Sequence, residues 1–136
     1  MVSIGKRSMA KKQEGKEIEI KGIRRGEIYL VNFDPTVGSE IRKTRPALVI
    51  QNDIANVYSS IVIVAALTSH YDFPLYPTEV LIRKTESGLA EDSVVLLNQI
   101  RSVDKKRLVR RLGVSTAETM HRVDRAVEIS LGLIKI

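Results

Sequence analysis

The chain has 136 residues, of which 43% are hydrophobic, and it contains no cysteine. This length is typical of one domain with its own core, and the lack of thiols excludes a disulfide framework, a cysteine nucleophile and a thiolate metal site. No apolar run approaches the ~20 residues of a membrane-spanning helix, so we expect a cytoplasmic protein without membrane contact.

The net charge of +6 is concentrated near the N-terminus. Residues 1–25 carry a charge of +5, whereas residues 26–136 carry only +1. Because residues 26–136 are almost neutral overall, any affinity of this part for nucleic acid has to come from local basic patches. Residues 1–22 are rich in Lys, Glu and Gly, which predicts a flexible or marginally structured extension. Residues 23–136 form the predicted domain.

The first part of this domain predicts two strands joined by a polar, basic loop. Residues 26–33 alternate and are rich in β-formers, as in a half-buried strand. The loop ends at Arg45, and the apolar stretch 46–50 then predicts a strand buried on both faces. Pro46 is tolerated because it is the first residue of that strand. Arg45 therefore lies where a rigid sheet can direct its guanidinium group.

The remaining chain predicts four further strands and a helix. The strands are expected at residues 60–68, 78–83, 93–103 and 107–114, with turns or loops at 52–56, 69–77, 84–92 and 104–106, the first of which can hold one helical turn. Ser115 and Glu118 are expected to form a capping box. Apolar residues then follow at helical spacing, at Met120, Val123, Val127, Leu131 and Ile134.

This pattern predicts a mostly β (α+β) domain. Strand–helix–strand alternation is missing, so a parallel doubly wound sheet is not expected. A small, partly closed antiparallel barrel of five to seven strands with a C-terminal helix would bury these strands.

Five motifs occur in an order that resembles one protein family. They are RGEIY at 25–29 with NFDPTVGSE at 32–40, TRPALVIQN at 44–52, VAALT at 64–68, DSVVL at 92–96 with QIR at 99–101, and ISLGLI at 129–134. Over residues 24–134 the chain resembles the MazF/PemK toxins of type II toxin–antitoxin systems. The resemblance implies an SH3-like barrel of the CcdB/MazF type.

The same resemblance implies a function and partners. It implies a homodimeric endoribonuclease that cuts single-stranded mRNA at short sequences, needs no metal or other cofactor, and is inhibited by a cognate antitoxin. Operator DNA is then expected to bind only through the complex with the antitoxin. Two other functions remain open: a noncatalytic SH3-like nucleic-acid-binding module, and a gyrase-poisoning toxin on the same fold. The second relies on a C-terminal tryptophan, and this chain has none.

The resemblance also implies that Arg45 and Thr68 are catalytic. In metal-free RNA cleavage the 2′-hydroxyl attacks the adjacent phosphorus, which leaves a 2′,3′-cyclic phosphate and a 5′-hydroxyl. Charge then grows on the phosphate oxygens, to which an arginine can donate two parallel N–H bonds and a threonine one O–H bond. Composition alone favours a surface ion pair of Arg45 with Glu40 or Asp34, and a plain β-former for Thr68.

His70 follows Thr68 by two residues, at a position where family members often have glutamine. It is a candidate auxiliary base, and a loop histidine out of reach of the phosphate is the alternative. His121 is expected to be structural or solvated.

RNA contacts are expected from polar residues in loops and on the fifth strand. They are Asn32, Ser39, Glu40, Arg42, Lys43, Ser69, Gln99 and Arg101. Tyr71, Phe73 and Tyr76 offer stacking surfaces, or else they only hold their loop in place. Residues 105–107 and 110–111 form a second basic patch that suits phosphates, an acidic antitoxin segment or solvent.

Overall fold

The computed structural model describes residues 22–33 and 44–136. Of the predicted N-terminal extension it therefore describes only Gly22. The described elements are β1 (Glu27–Asn32), β2 (Thr44–Val49), α1 (Asp53–Tyr58), β3 (Ile61–Thr68), β4 (Glu79–Ile82), α2 (Lys84–Ser87), β5 (Ser93–Asp104), a 3₁₀ turn (Lys105–Arg107), β6 (Leu108–Val114) and α3 (Ala117–Ser130). These elements confirm the mostly β prediction with a C-terminal helix.

The six strands form one antiparallel sheet in the order β4-β5-β3-β2-β1-β6. β4 and β6 are its edges and do not pair with each other, so the sheet is not closed. In β5 the register against β3 shifts, because Ile100 lies opposite Ala65 whereas Val95 lies opposite Leu67. More residues of β5 than of β3 lie between these two pairs, so β5 bulges, and a bulge bends its strand. The bend allows the first half of β5 to pair with β4 as well.

The sheet is buried on both faces in β1, β2 and β3, because alternate side chains enter two different cores. We call the first the strand core; it contains Tyr29, Val31, Phe33, Ala47, Val49, Val62, Val64, Ala66, Val103 and Leu108. We call the second the helix core; it contains Ile28, Leu48, Ala65, Leu67, Val80, Ile82, Val95 and Leu97 with Val123 and Ala126 of α3. The predicted burial of β2 on both faces is confirmed.

The start of α3 differs from the sequence-based prediction. The cap is Thr116, whose Oγ1 accepts a hydrogen bond from the Thr119 N–H at 3.1 Å. Ser115 is instead buried, and its N–H donates to the Gly26 carbonyl at 2.8 Å. Glu118 lies beside Arg122, at 3.9 Å. The prediction of a capping box at Ser115 was therefore wrong by one residue, because pairing with the first strand holds the serine.

The end of α3 differs too. The helix ends at Ser130, and Gly132 adopts a left-handed φ of 75°. The Leu133 N–H donates to the Glu128 carbonyl and the Gly132 N–H to the Ile129 carbonyl, which is a Schellman ending. Leu131 is 59% exposed. The apolar spacing through Leu131 and Ile134 therefore overestimated the length of the helix.

Two segments predicted as turns contain short helices, and α1 is the helical turn that the sequence allowed at 52–56. In α1 the Asn52 Oδ1 accepts the Ala55 N–H at 2.8 Å, which is an N-cap. The four-residue α2 ends at Gly88 with a left-handed φ of 76°. Both helices are too short for an apolar period to reveal them.

Arg25 connects three parts of the chain. Its N–H donates to Asp53 Oδ1 at 2.7 Å, its Nε–H to the Ile50 carbonyl at 2.9 Å, and its Nη2 to Asp124 Oδ1 at 2.7 Å. The bond from the Arg25 N–H, with a second from Asn56, lowers the pKa of Asp53. One arginine thereby joins the start of β1 to α1 and α3.

Gly113 allows β6 to pass α2 closely, since a Cβ there would overlap the Ser87 carbonyl oxygen. We expect Gly113→Ala to lower the free energy of unfolding by about 3 kcal/mol, the upper end of ordinary overpacking costs. Gly132→Ala is the matched control, because its φ is positive but a Cβ would meet nothing within 4 Å. The control should lose about 1 kcal/mol. Urea unfolding at one protein concentration measures both, and equal losses would contradict the predicted close approach.

Candidate active site

Arg45 lies near the start of β2, opposite Val31 of β1. Side chains alternate along a strand, so Arg45 shares a face with Ala47, which is completely buried in the strand core. Arg45 itself is exposed. The buried face of β2 thus ends in an arginine whose strand is fixed on both sides by β1 and β3.

Thr68 ends β3 near Arg45. Ala66 of β3 lies opposite Ala47 of β2, and Arg45 and Thr68 each lie two residues beyond this pair, at the same end of the two strands. Thr68 Oγ1 accepts the His70 N–H at 3.0 Å, which closes a small turn after the strand. Its own hydroxyl is 3.4 Å from the His70 carbonyl oxygen, a long contact for O–H···O. That proton is available to a better acceptor.

His70 is exposed, and only its backbone takes part in the turn. Its imidazole makes no hydrogen bond to any residue that the structure describes. The ring can therefore meet a ligand bound at the Thr68 end of β3 without first losing a protein partner.

Arg101 brings a second guanidinium to the same face. It lies opposite Val64 of the strand core, and its guanidinium carbon is 4.9 Å from the ring centroid of Phe33. This cation–π contact orients an exposed arginine against a buried ring. Gln99, two residues earlier on β5, is exposed, and Asn32 lies opposite Thr44 beside the Arg45 position.

Phe33 was not among the predicted site residues. Its alternation with Tyr29 and Val31 would have assigned it to the core, where it indeed lies. Its contact with Arg101 joins residues far apart in the sequence, so no local pattern could have revealed it.

Beside Thr68 is a polar hollow of about 410 Å³, lined by Ser69, Tyr71, Lys84, Glu91 and Asp92. Asp92 accepts the Lys84 N–H at 2.8 Å. The Tyr71 ring stands edge-on to Phe73, with centroids 5.7 Å apart. Tyr71 and Phe73 thus contact each other, but Phe73 and Tyr76 are equally exposed, at 70% and 71%.

The other predicted RNA-binding residues are Ser39, Glu40, Arg42 and Lys43, and they lie outside the described residues. So do Glu40 and Asp34 as alternative partners of Arg45.

Within residues 22–33 and 44–136, no three His, Asp or Glu side chains gather in a way that could hold a metal ion. In the same ranges no helix combines the length and apolar character needed to cross a membrane.

The second basic patch is partly structural. Lys105 Nζ donates to the Asn56 carbonyl at 2.6 Å, and Arg107 Nη1 donates to the Asn32 carbonyl at 3.1 Å. Arg111 pairs at 2.7 Å with the buried Glu27. Burial, and then the neighbouring Glu27 carboxylate, raises the pKa of Tyr29 in this network. Lys106 and Arg110 remain as exposed cations of the patch.

Comparison with known proteins identifies the group to which this arrangement belongs. Residues 24–131 match the model of the PemK-like, MazF-like toxins of type II toxin–antitoxin systems. A MazF structure from Deinococcus radiodurans is 28% identical, with a TM-score of 0.65 over 81% of this chain and 96% of that chain. A MazE–MazF complex from the same organism is 27% identical, with a TM-score of 0.70 over 82% and 97%.

A mycobacterial endoribonuclease in complex with its cognate antitoxin has a similar fold. It is 23% identical, with a TM-score of 0.70 over 85% of this chain and 100% of that chain. The family match covers most of the sequence, and the strand order and C-terminal helix agree with it. The chain therefore belongs to the PemK/MazF-like toxin family of type II toxin–antitoxin systems.

Proposed function

We propose that this toxin is a sequence-specific endoribonuclease that cuts single-stranded mRNA without a metal ion. One observation carries the proposal. An exposed arginine and a threonine hydroxyl, Arg45 and Thr68, lie at the same end of neighbouring strands, two residues beyond the paired Ala47 and Ala66. Two donors of this kind at a rigid strand end suit a phosphate on which charge develops.

In the proposed reaction the substrate supplies its own nucleophile. The 2′-oxygen bonds to the adjacent phosphorus as its proton leaves, and the bond from phosphorus to the 5′-oxygen breaks as that oxygen takes up a proton. The products are a 2′,3′-cyclic phosphate and a 5′-hydroxyl. Arg45 donates two N–H bonds to the non-bridging oxygens, and Thr68 donates its hydroxyl. His70 is the candidate base for the 2′-hydroxyl.

We assign the RNA contacts to polar side chains around Arg45 and Thr68. Arg101, oriented by Phe33, suits a neighbouring phosphate or base. Asn32, Ser69 and Gln99 border the same strand ends. On sequence grounds the loop residues Ser39, Glu40, Arg42 and Lys43 complete the set that reads unstacked bases.

The proposal includes protein partners. In it, a cognate antitoxin inhibits the toxin, two copies of the chain form a homodimer, and operator DNA binds through the toxin–antitoxin complex in the cytoplasm. The complexes solved for relatives support an antitoxin partner. Exposed apolar side chains after α3 support a protein contact there, since isolated chains rarely expose such a group; they are Leu131, Leu133 and Ile136.

We expect Arg45→Ala to abolish RNA cleavage with little change in stability, because the side chain is exposed and outside the core. The loss should be about 10²-fold or more. Arg45→Lys should recover little, since an ammonium cannot make the paired contact. The assay follows a defined long RNA in EDTA and identifies cyclic-phosphate ends. Arg24→Ala, at an exposed arginine before β1, is the control. A folded Arg45→Ala variant with full activity, or wild-type protein that binds RNA without cutting it, would contradict the proposal.

Substitution of Thr68 separates its chemical role from its structural one. Thr68→Ser keeps the hydroxyl and the turn and should keep most activity, whereas Thr68→Val should lose about 10²-fold in rate. Thr68→Val also removes the acceptor of the His70 N–H, at a cost of about 1 kcal/mol. Amide hydrogen exchange of His70 reports the turn, and the cleavage rate reports the chemistry. Equal rates for both variants would exclude a role for the hydroxyl in catalysis.

His70 can be tested by its pH dependence. If its imidazole accepts the proton of the 2′-hydroxyl, the rate should rise with pH between 5 and 8, where histidine ordinarily titrates. His70→Gln should flatten that rise and keep RNA affinity, because glutamine retains a polar group of similar reach. Single-turnover rates over this pH range decide the point. A wild-type profile without an inflection would exclude His70 as the base.

A further inference from the structure

A groove of about 700 Å³ runs between the edge strand β4 and the helix α3, apart from the Arg45 pair. Its lining combines apolar side chains with cations. Leu75, Pro77, Val80, Leu81 and Ala126 are apolar, whereas Arg83, His121, Arg122 and Arg125 are basic or titratable, and Glu79 is acidic. Such a mixture suits a partner with both acidic and apolar side chains.

The cations of the groove are weakly neutralised within the chain. Arg83 is 3.7 Å from Asp92 and Arg122 is 3.9 Å from Glu118, both near the limit of an ion pair. Arg125 has no ion pair with any residue that the structure describes. The one acid of the lining, Glu79, accepts the Tyr76 N–H at 3.0 Å. Within the lining three guanidinium groups face one carboxylate. Asp92 and Glu118, outside the lining, approach Arg83 and Arg122 only at the limit of an ion pair, so the groove keeps a positive potential.

The wall of the groove formed by β4 is a sheet edge. β4 pairs with β5 on one side, and among the described strands nothing pairs with its other side. The backbone groups along such an edge can bind an extended segment as an additional strand. An extended partner would then place alternate side chains toward the apolar floor and toward the arginines.

The charges indicate which partner fits. The toxin's own residues 1–21 carry six Lys or Arg and three Glu, so they would repel the groove. A second copy would bring the same arginines. RNA would satisfy the cations, but the lining offers aliphatic side chains and no aromatic ring on which a base could stack. An acidic peptide that also carries apolar residues satisfies both parts of the lining.

We propose that this groove binds an acidic, apolar-containing segment of the antitoxin in extended conformation along β4. The partner is identified as the antitoxin because of the proposed function, whereas the acidic and apolar character of the bound segment follows from the groove itself. β5 and β3 lie between β4 and β2 in the sheet, so a segment in the groove leaves Arg45 uncovered. The groove anchors the inhibitor and does not itself block the RNA site.

The experiment uses wild-type toxin and a fluorescein-labelled peptide in which leucine and glutamate alternate. The matched peptide with lysine in place of glutamate should not bind. The triple variant Arg83→Glu, Arg122→Glu, Arg125→Glu should bind the acidic peptide at least about tenfold more weakly, the sum expected of three exposed charge contacts. Its RNA cleavage should equal that of wild type. Arg24→Glu, at an exposed residue before β1 and outside the groove lining, is the charge-matched control and should leave binding unchanged.

Two further measurements keep the result unambiguous. Arg125→Glu alone breaks no ion pair in the described part of the chain and should still weaken binding severalfold, so misfolding of the triple variant does not decide the matter. Because the chain has no cysteine, His121→Cys can carry a single fluorophore inside the groove, and its emission should change when the peptide binds.

Equal peptide affinity for wild-type and triple-variant protein would overturn the proposal. So would displacement of the peptide by single-stranded RNA together with loss of cleavage in the triple variant, which would make the groove part of the RNA site. Peptide binding does not depend on catalysis. A wild-type protein that binds the peptide in the groove and cuts no RNA would therefore contradict the proposed nuclease function and support the groove as a peptide site.

Discussion

Burial of both faces of β1, β2 and β3 decides where this chain can place a charged side chain. Ala47, Leu48 and Val49 are fully buried although they point alternately into different cores, and an unpaired charge at such positions would cost several kcal/mol. Charged groups on these strands are therefore confined to their ends or need a buried partner. Arg45 stands at such an end, where the apolar neighbours hold its backbone in place and leave its guanidinium in water.

Most buried polar groups of the described residues are paired, with Glu86 Oε2 and Ser115 Oγ as exceptions, and they lie mostly away from the Arg45 end. Glu27 accepts from Tyr29, Arg111 and the Arg24 N–H. Gln51 and Asn56 exchange hydrogen bonds at 3.0 Å. These networks tie β1 to β6 and β2 to α1, so several cations that look like nucleic-acid ligands in the sequence stabilise the fold instead. Among the other exposed arginines, Arg45 and Arg101 share one face, and Arg83, Arg122 and Arg125 line the groove beside α3. Arg24 and Arg110 lie apart from both places.

The sequence alone was enough to predict the strands, a small antiparallel sheet with a C-terminal helix, and an arginine at the start of a strand, because apolar alternation and Pro46 are local signals. It predicted a partly closed barrel, whereas the edge strands β4 and β6 do not pair. It placed the cap of α3 one residue early, since the bond from the Ser115 N–H to Gly26 joins distant segments. The contact of Arg101 with Phe33 and the groove between β4 and α3 depend on strand register and on packing of the helix. Neither is contained in the spacing of neighbouring residues. The structure gives the positions of Arg45, Thr68 and His70. Their roles in catalysis remain predictions, because position alone does not determine a reaction.

The separation of the two basic places has a consequence for inhibition. Three strand spacings of about 4.8 Å separate β4 from β2, or roughly 14 Å, which about five extended residues can span. An antitoxin segment held in the groove would keep the residues that follow it at high effective concentration over Arg45. Those residues could then bind weakly by themselves and still exclude RNA. Loss of the anchored segment alone would then lower that effective concentration and uncover the Arg45 face.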